Sequence, residues 1–88
     1  MNETEIFLRI RSTVAATFHL IPETLVTRET TSATVDGWDS LSHAILIMNI
    51  EDAFGIELPF EAVSELANVG ELADLVESVT SAKQSGSL

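Results

Sequence analysis

The chain reads as all-α, a small antiparallel four-helix bundle with three longer helices, one short third helix and a long loop between helices one and two. Three observations predict this. Apolar residues recur at helical spacing in three separate stretches, and no stretch makes a convincing strand. Each of these stretches opens on an Asn or Asp placed to cap a helix. Between the first two lies a segment with Pro22 and many Thr residues, which suits a loop. At 88 residues the chain makes one domain, and 45% apolar content is enough for a small core.

The first helix is expected from Asn2 to about Phe18. Asn2 with Glu5 three positions on forms a cap pair, and Ile6, Ile10 and Val14 follow at i+4 spacing, with Phe7 and Phe18 on adjoining rows. From His19 to Trp38 the pattern breaks. Thr24, Thr27, Thr30, Thr31, Ser32 and Thr34 disfavour helix, while Leu20, Ile21, Leu25, Val26 and Val35 are expected to pin the loop to the core. Loops this long are commonly functional or mobile. The second helix runs from Asp39 or Ser40 to about Phe54, with Asp39 as N-cap and Gly55 as the left-handed residue that ends it.

Steps of 100° give that helix two opposed apolar faces. Leu46, Ile47, Ile50 and Phe54 lie on one, with His43 near its start, and must face the core. Leu41, Ile45 and Met48 lie on the other, followed by Asp52. A short third helix is expected from Pro59 or Phe60 to Leu66. The fourth opens at Asn68, supported by Glu71, and buries a stripe of Val69, Leu72, Val76 and Val79 with Leu75 alongside. Residues from Ser81 on are small and polar, so the domain is drawn as 1–82 with 83–88 as a flexible C-terminal tail. The expected core is Phe7, Ile10, Leu46, Ile47, Ile50, Phe54, Leu66, Val69, Leu72 and Val76.

Composition narrows the function classes. The net charge is −10, with 14 acids against Arg9, Arg11, Arg28 and Lys83. Nucleic acid and anionic membranes attract basic chains, so both are disfavoured, and partners with basic patches are favoured. Acidity also serves solubility alone. With no cysteine there is no disulfide and no thiolate metal site, and His19 and His43 do not make a metal site by themselves. Asp36 and Asp39 lack the ligand spacing of a calcium loop, and neither a phosphate-cradling glycine loop nor a nucleophile elbow is present. No apolar run reaches the roughly 20 residues that span a bilayer, and the acidic opening is unlike a signal peptide. A cytoplasmic, monomeric, separate protein is expected.

The stretch Gly37-Trp38-Asp39-Ser40-Leu41 is the most informative. Ser40 stands at the entrance of the second helix, where amide donors and the helix dipole favour negative charge. Serine is common at helix starts for structural reasons, but Asp39 is the better cap and leaves Ser40 without that duty. Gly37 allows a tight turn, Trp38 reads as a packing anchor, and His43 as a partly buried helix residue with no catalytic partner in view. His19 reads as a solvated helix-end residue.

The run from Val35 to Pro59 resembles acyl carrier proteins, the phosphopantetheine-bearing family. Asp39-Ser40-Leu41 opens the helix, an apolar stretch from Ile45 through Met48 follows, Glu51-Asp52-Ala53-Phe54 closes it, and Ile56-Glu57-Leu58-Pro59 leads to helix three. The likeness covers about residues 3–80, and Trp38 is similar to a subgroup of bacterial stand-alone or polyketide-type carriers. The resemblance implies that Ser40 carries phosphopantetheine, transferred from coenzyme A by a phosphopantetheinyl transferase using Mg²⁺, with Asp39 flanking it. Acyl groups of fatty-acid, polyketide or related biosynthesis would ride on the arm's thiol as thioesters, and the chain itself would be no enzyme.

In that family helix two meets basic partner surfaces through acidic residues, whereas Ser42 and Ile45 stand at two such positions here. A docking face of Leu41, Ile45, Met48, Glu51, Asp52 and Glu57 is therefore expected, apolar in its first half and acidic in its second. It would meet acyl-loading and acyl-processing enzymes with basic and apolar patches. Two rivals stay open: a peptidyl or aminoacyl carrier, whose handle usually resembles Gly-Gly-(Asp/His)-Ser-Leu, and an acidic helical adaptor without cofactor. A hydrolase is a distant third, since no base or oxyanion site accompanies the serine.

Overall fold

The computed structural model describes residues 2–20 and 22–86. Four α-helices follow one another: α1 (Glu3–Phe18), α2 (Ser40–Phe54), α3 (Phe60–Val63) and α4 (Val69–Gly86), with a 3₁₀ turn at Glu23–Leu25 inside the long loop. Among the described residues there is no strand. The all-α bundle with a short third helix is the architecture expected from the sequence.

Helix limits follow from local hydrogen bonds. Asn2 Oδ1 accepts the Glu5 amide at 2.9 Å and starts α1. The helix ends on His19, the one non-glycine with positive φ (57°) among the described residues, and the Leu20 amide reaches back to the Ala15 carbonyl at 2.9 Å. The exit of α2 repeats the device. Gly55 takes φ 63°, the Ile56 amide bonds to Glu51 O at 3.1 Å, and Ile56 drops into the core. Asn68 Oδ1 accepts the Glu71 amide at 2.8 Å while Glu71 Oε1 accepts the Ala67 amide at 3.0 Å, a reciprocal pair that opens α4.

α1 packs against both α2 and α4. Ile6, Ile10 and Val14 from α1 meet Leu46, Ile47 and Ile50 from α2 and Val69, Leu72, Ala73 and Val76 from α4, with Val63, Val26, Ile56 and Leu58 closing the rim. Three residues expected in the core, Phe7, Phe54 and Leu66, are only partly buried and pack against its edge. Phe54 is held there by Arg9, whose guanidinium lies 5.6 Å from the ring centroid.

Three other expectations are corrected. Leu25 does not pin the loop, because the 3₁₀ turn puts it outside at 60% exposure while Val26 goes inside at 1%. Val35 is buried and Leu20 partly so, as expected, and Ile21 lies outside the described residues. α3 stops at Val63 rather than Leu66. The Glu65 amide bonds to Ala62 O, a tighter 3₁₀-type link, and the Ser64 hydroxyl donates to Glu61 O. α4 continues past Ser81 to Gly86, since Ala82, Lys83 and Gln84 are good helix formers. Ser87 and Leu88 of the expected tail lie outside the described residues.

The long loop is stapled to α4. The amides of Val69 and Gly70 donate to the carbonyls of Thr30 (2.9 Å) and Arg28 (2.8 Å), which satisfies donors at the helix start. The close approach favours a glycine, since a Cβ on Gly70 would stand 3.0 Å from Arg28 O and push the loop back by a few tenths of an ångström. Arg28 Nη2 adds a bond to Gly70 O (3.3 Å) and an ion pair with Asp74 (2.9 Å). Both charged groups are exposed, so that pair adds little by itself.

Further along α4, partial desolvation and then the negative charge of Glu3 hold the Glu77 carboxyl above the usual carboxylate range. The folded state therefore binds this proton more tightly than the unfolded chain. Its contribution is full below the unfolded pKa and is lost as pH rises through the folded one. Glu77→Gln should raise Tm at about pH 7, and the gain should shrink towards about pH 4. Thermal melts at both values check this, and equal shifts at the two would contradict it.

Candidate functional site at the start of the second helix

The loop reaches α2 through a tight turn. Gly37 at φ 84° occupies the left-handed region, and the Trp38 amide bonds to Val35 O at 3.4 Å. Asp39 is extended and caps the helix, its Oδ1 accepting the Ser42 amide at 2.9 Å. That amide, with the Ser42 hydroxyl, lowers the Asp39 carboxyl below its ordinary value. Ser40 follows as the first helical residue. It is exposed, and its hydroxyl makes no hydrogen bond among the described residues. The capping duty thus falls on Asp39, and the Ser40 oxygen stands open to solvent at the positive end of a 15-residue helix.

Beside Ser40 lies a cleft of about 400 Å³, between the end of the loop, the first turn of α2, α3 and the start of α4. Ser40, Asp39, Trp38 and His43 form one wall, Phe60 and Val63 another, and Leu72 is among the residues that close it from α4. Phe60 is 81% exposed, the most exposed large apolar side chain among the described residues. Nothing in the pattern around Pro59 announces this, since the periodicity of so short a helix does not define a face.

Trp38 is the anchor expected of it. Its ring stacks on Phe18 at 4.9 Å between centroids, which ties the loop to the end of α1. It also does something that sequence reasoning missed. Trp38 Nε1–H donates to His43 Nδ1 at 3.0 Å, and His43 Nε2 lies 3.1 Å from the Val63 carbonyl. An indole N–H can only donate, so Nδ1 accepts and the imidazole proton sits on Nε2, where it donates to Val63 O. The ring is a bridge from the loop through α2 to α3.

The outer stripe of α2 is unburied, with Leu41 72%, Ile45 45% and Met48 64% exposed. Asp52 and Glu57 are exposed as well. Glu51 differs, because it is half-buried and its Oε2 accepts the Leu58 amide at 2.8 Å, holding the chain after α2 in place. His19 is exposed at the end of α1, far along the chain from this site. Among the described residues no group of acids and histidines is arranged to hold a metal ion.

A family model described as the phosphopantetheine attachment site matches residues 9–76. The chain belongs to the acyl carrier protein family. Its sequence is 32% identical to an acyl carrier protein of Guillardia theta over 93% of this chain and the whole of that protein. An acyl carrier protein of Thermosynechococcus vestitus is 30% identical over the same shares, and one of Lactobacillus johnsonii is 31% identical over 89% of this chain and 96% of that protein. Phosphopantetheine is the group this family carries. The residues present fit it, for an unbonded hydroxyl at a helix N-terminus suits a phosphate ester, and the adjoining cleft has both polar and apolar walls.

Trp38→Phe keeps a ring against Phe18 but removes the N–H, leaving His43 Nδ1 without its donor. A loss of about 1–2 kcal/mol is expected, read as a lower urea midpoint at unchanged slope. In the wild type, imidazole ¹⁵N shifts of the neutral ring should place the proton on Nε2. A proton on Nδ1 would exclude the bridge.

Proposed function

We propose that Ser40 Oγ is the atom that carries the phosphopantetheine arm. The observation supporting this is the exposed, unbonded Ser40 hydroxyl at the first position of α2, relieved of capping by Asp39 and lying within the residues that the family model matches. A phosphopantetheinyl transferase would bring coenzyme A and Mg²⁺. Ser40 Oγ attacks the phosphorus next to the pantetheine, its proton passes to a base of that enzyme, and adenosine 3′,5′-bisphosphate leaves. A phosphodiester remains on Ser40, and the helix amides behind it favour its negative charge. Asp39, held by Ser42 and adjacent to the handle, is placed to meet a basic residue or the metal of the transferase.

On this reading the chain performs no chemistry of its own. The arm's thiol holds an acyl group as a thioester, and the tether keeps that group at high effective concentration near a docked enzyme. Its cargo belongs to fatty-acid, polyketide or related biosynthesis. The names of its relatives support acyl rather than aminoacyl cargo. No helix among the described residues is long and apolar enough to cross a membrane. On this reading the protein works as a cytoplasmic monomer.

Incubation with a broad-specificity transferase, coenzyme A and Mg²⁺ tests the attachment. Intact mass should rise by one phosphopantetheine in the wild type and stay unchanged in Ser40→Ala, whose helix keeps its Asp39 cap. An unmodified wild type would favour a cofactor-free adaptor, and a modified Ser40→Ala would move the handle elsewhere.

The docking face is the exposed stripe of Leu41, Ile45 and Met48, continued by Asp52 and Glu57. Glu51 adds charge there but is partly committed to Leu58. Ile45 is 45% exposed, so burying that remainder against a partner contributes on the order of 1 kcal/mol, at the upper end of the about 0–1 kcal/mol of an exposed ion pair. Ile45→Glu should therefore weaken binding to a cognate acyl-processing enzyme roughly fivefold and make it steeper in salt. Titrations at two salt concentrations check this, and tighter binding by the variant would refute an apolar docking half.

A further inference from the structure

The bridge from Trp38 through His43 to Val63 stands between the handle and the core. His43 lies one turn beyond Ser40, on the same side of α2, and both line the cleft. Three and four positions beyond His43 lie Leu46, fully buried, and Ile47, followed by Ile50. Any chain that left the arm and pushed inward between α2 and α3 would meet the His43 ring first. That ring is fixed at both nitrogens, by the Trp38 indole at 3.0 Å and by the Val63 carbonyl at 3.1 Å. The indole is in turn stacked on Phe18. Displacing the ring strands a donor on Trp38 and an acceptor on Val63, both partly or wholly enclosed.

The space on the near side of the bridge is limited. An apolar cavity of about 150 Å³ holds one benzene. A cleft of about 400 Å³ thus has room for a few groups of that size, and the tether itself must take a share. The walls are mixed. Thr31, Ser32 and Asn68 can pair with the amides of a folded-back tether, while Phe60, Val63 and Leu66 can cover a short apolar group.

We propose that the Trp38–His43–Val63 bridge is the element that sets which cargo this protein shelters: the cleft takes the end of the arm with a short acyl group, and the bridge bars longer aliphatic chains from the core. The proposal rests on Ser40 as the handle. Trp38 and His43 act on cargo length as a wall, not as catalytic residues.

The test loads wild type, His43→Phe and Trp38→Phe from butyryl- and hexadecanoyl-coenzyme A with a transferase. Intact mass comes first. A wild type that takes no arm would remove the handle reading itself, whatever the bridge does. With loading shown, thioester loss to hydroxylamine is timed for each cargo. In the wild type the butyryl thioester should survive several-fold longer than the hexadecanoyl one, and methyl signals of Leu46 and Ile50 should not move with either. In variants that keep the helical spectrum of the wild type, the long chain should become protected and those methyl signals should shift. Equal or better protection of hexadecanoyl in the wild type, with shifts at Leu46 and Ile50, would overturn the proposal even if neither variant folded. Folded variants that still leave the long chain unprotected would overturn it as well.

Discussion

The hydrogen bond from the Ser42 amide to Asp39 is the constraint on which the site depends. A helix start needs its amides satisfied, and serine and aspartate compete for that duty. Here Asp39 takes it, which places Ser40 one step later, inside the helix and with its oxygen unengaged. Had the cap fallen one residue on, the same hydroxyl would be turned onto the backbone and occupied. The availability of the Ser40 hydroxyl is thus a result of register, and the register is set by Gly37 and Trp38 immediately upstream.

The rest of the fold holds that register in place. A loop with Val26 and Val35 as its buried apolar residues would not fix its far end well. It is secured instead at three points: by the Phe18–Trp38 stack on α1, by the carbonyls of Arg28 and Thr30 on the first amides of α4, and by the His43 bridge to α3. The α4 contact uses backbone atoms on both sides and is eased by the missing side chain of Gly70. The same amides serve the loop and the helix start at once, so two groups of polar atoms that would otherwise need water satisfy each other.

The parts of this arrangement legible in the sequence are those made by neighbours. Asn2, Asp39 and Asn68 each sit three residues before the amide they bind, and Gly55 ends α2 where its apolar rows end. The two faces of α2 follow from the helical repeat: Leu46, Ile47 and Ile50 are buried and Leu41, Ile45 and Met48 exposed as expected, while Phe54 is only partly buried. The family and the fold class were readable for the same reason, since Asp39-Ser40-Leu41 and the helix it opens form one continuous segment. The parts not legible join distant residues. Arg28 meets Asp74 across 46 positions, and His43 meets Val63 across 20. No local pattern marks such pairs, and Glu51, which looks like a surface acid, is half-buried through its bond to Leu58. Short elements fared worst. The 3₁₀ turn rests on two i→i+3 backbone bonds and the end of α3 on one, which leave no period to count.

The exposed ring of Phe60 has a consequence for handling the molecule. Together with Leu41 and Met48 it leaves bare hydrocarbon on a very small protein. Near neutral pH a charge of −10 keeps copies apart. Close to the isoelectric point of about 4.2 that repulsion vanishes while the hydrocarbon stays. Mild acid is therefore the condition in which copies of this chain are expected to turn sticky, with colloidal behaviour there governed by these exposed apolar side chains.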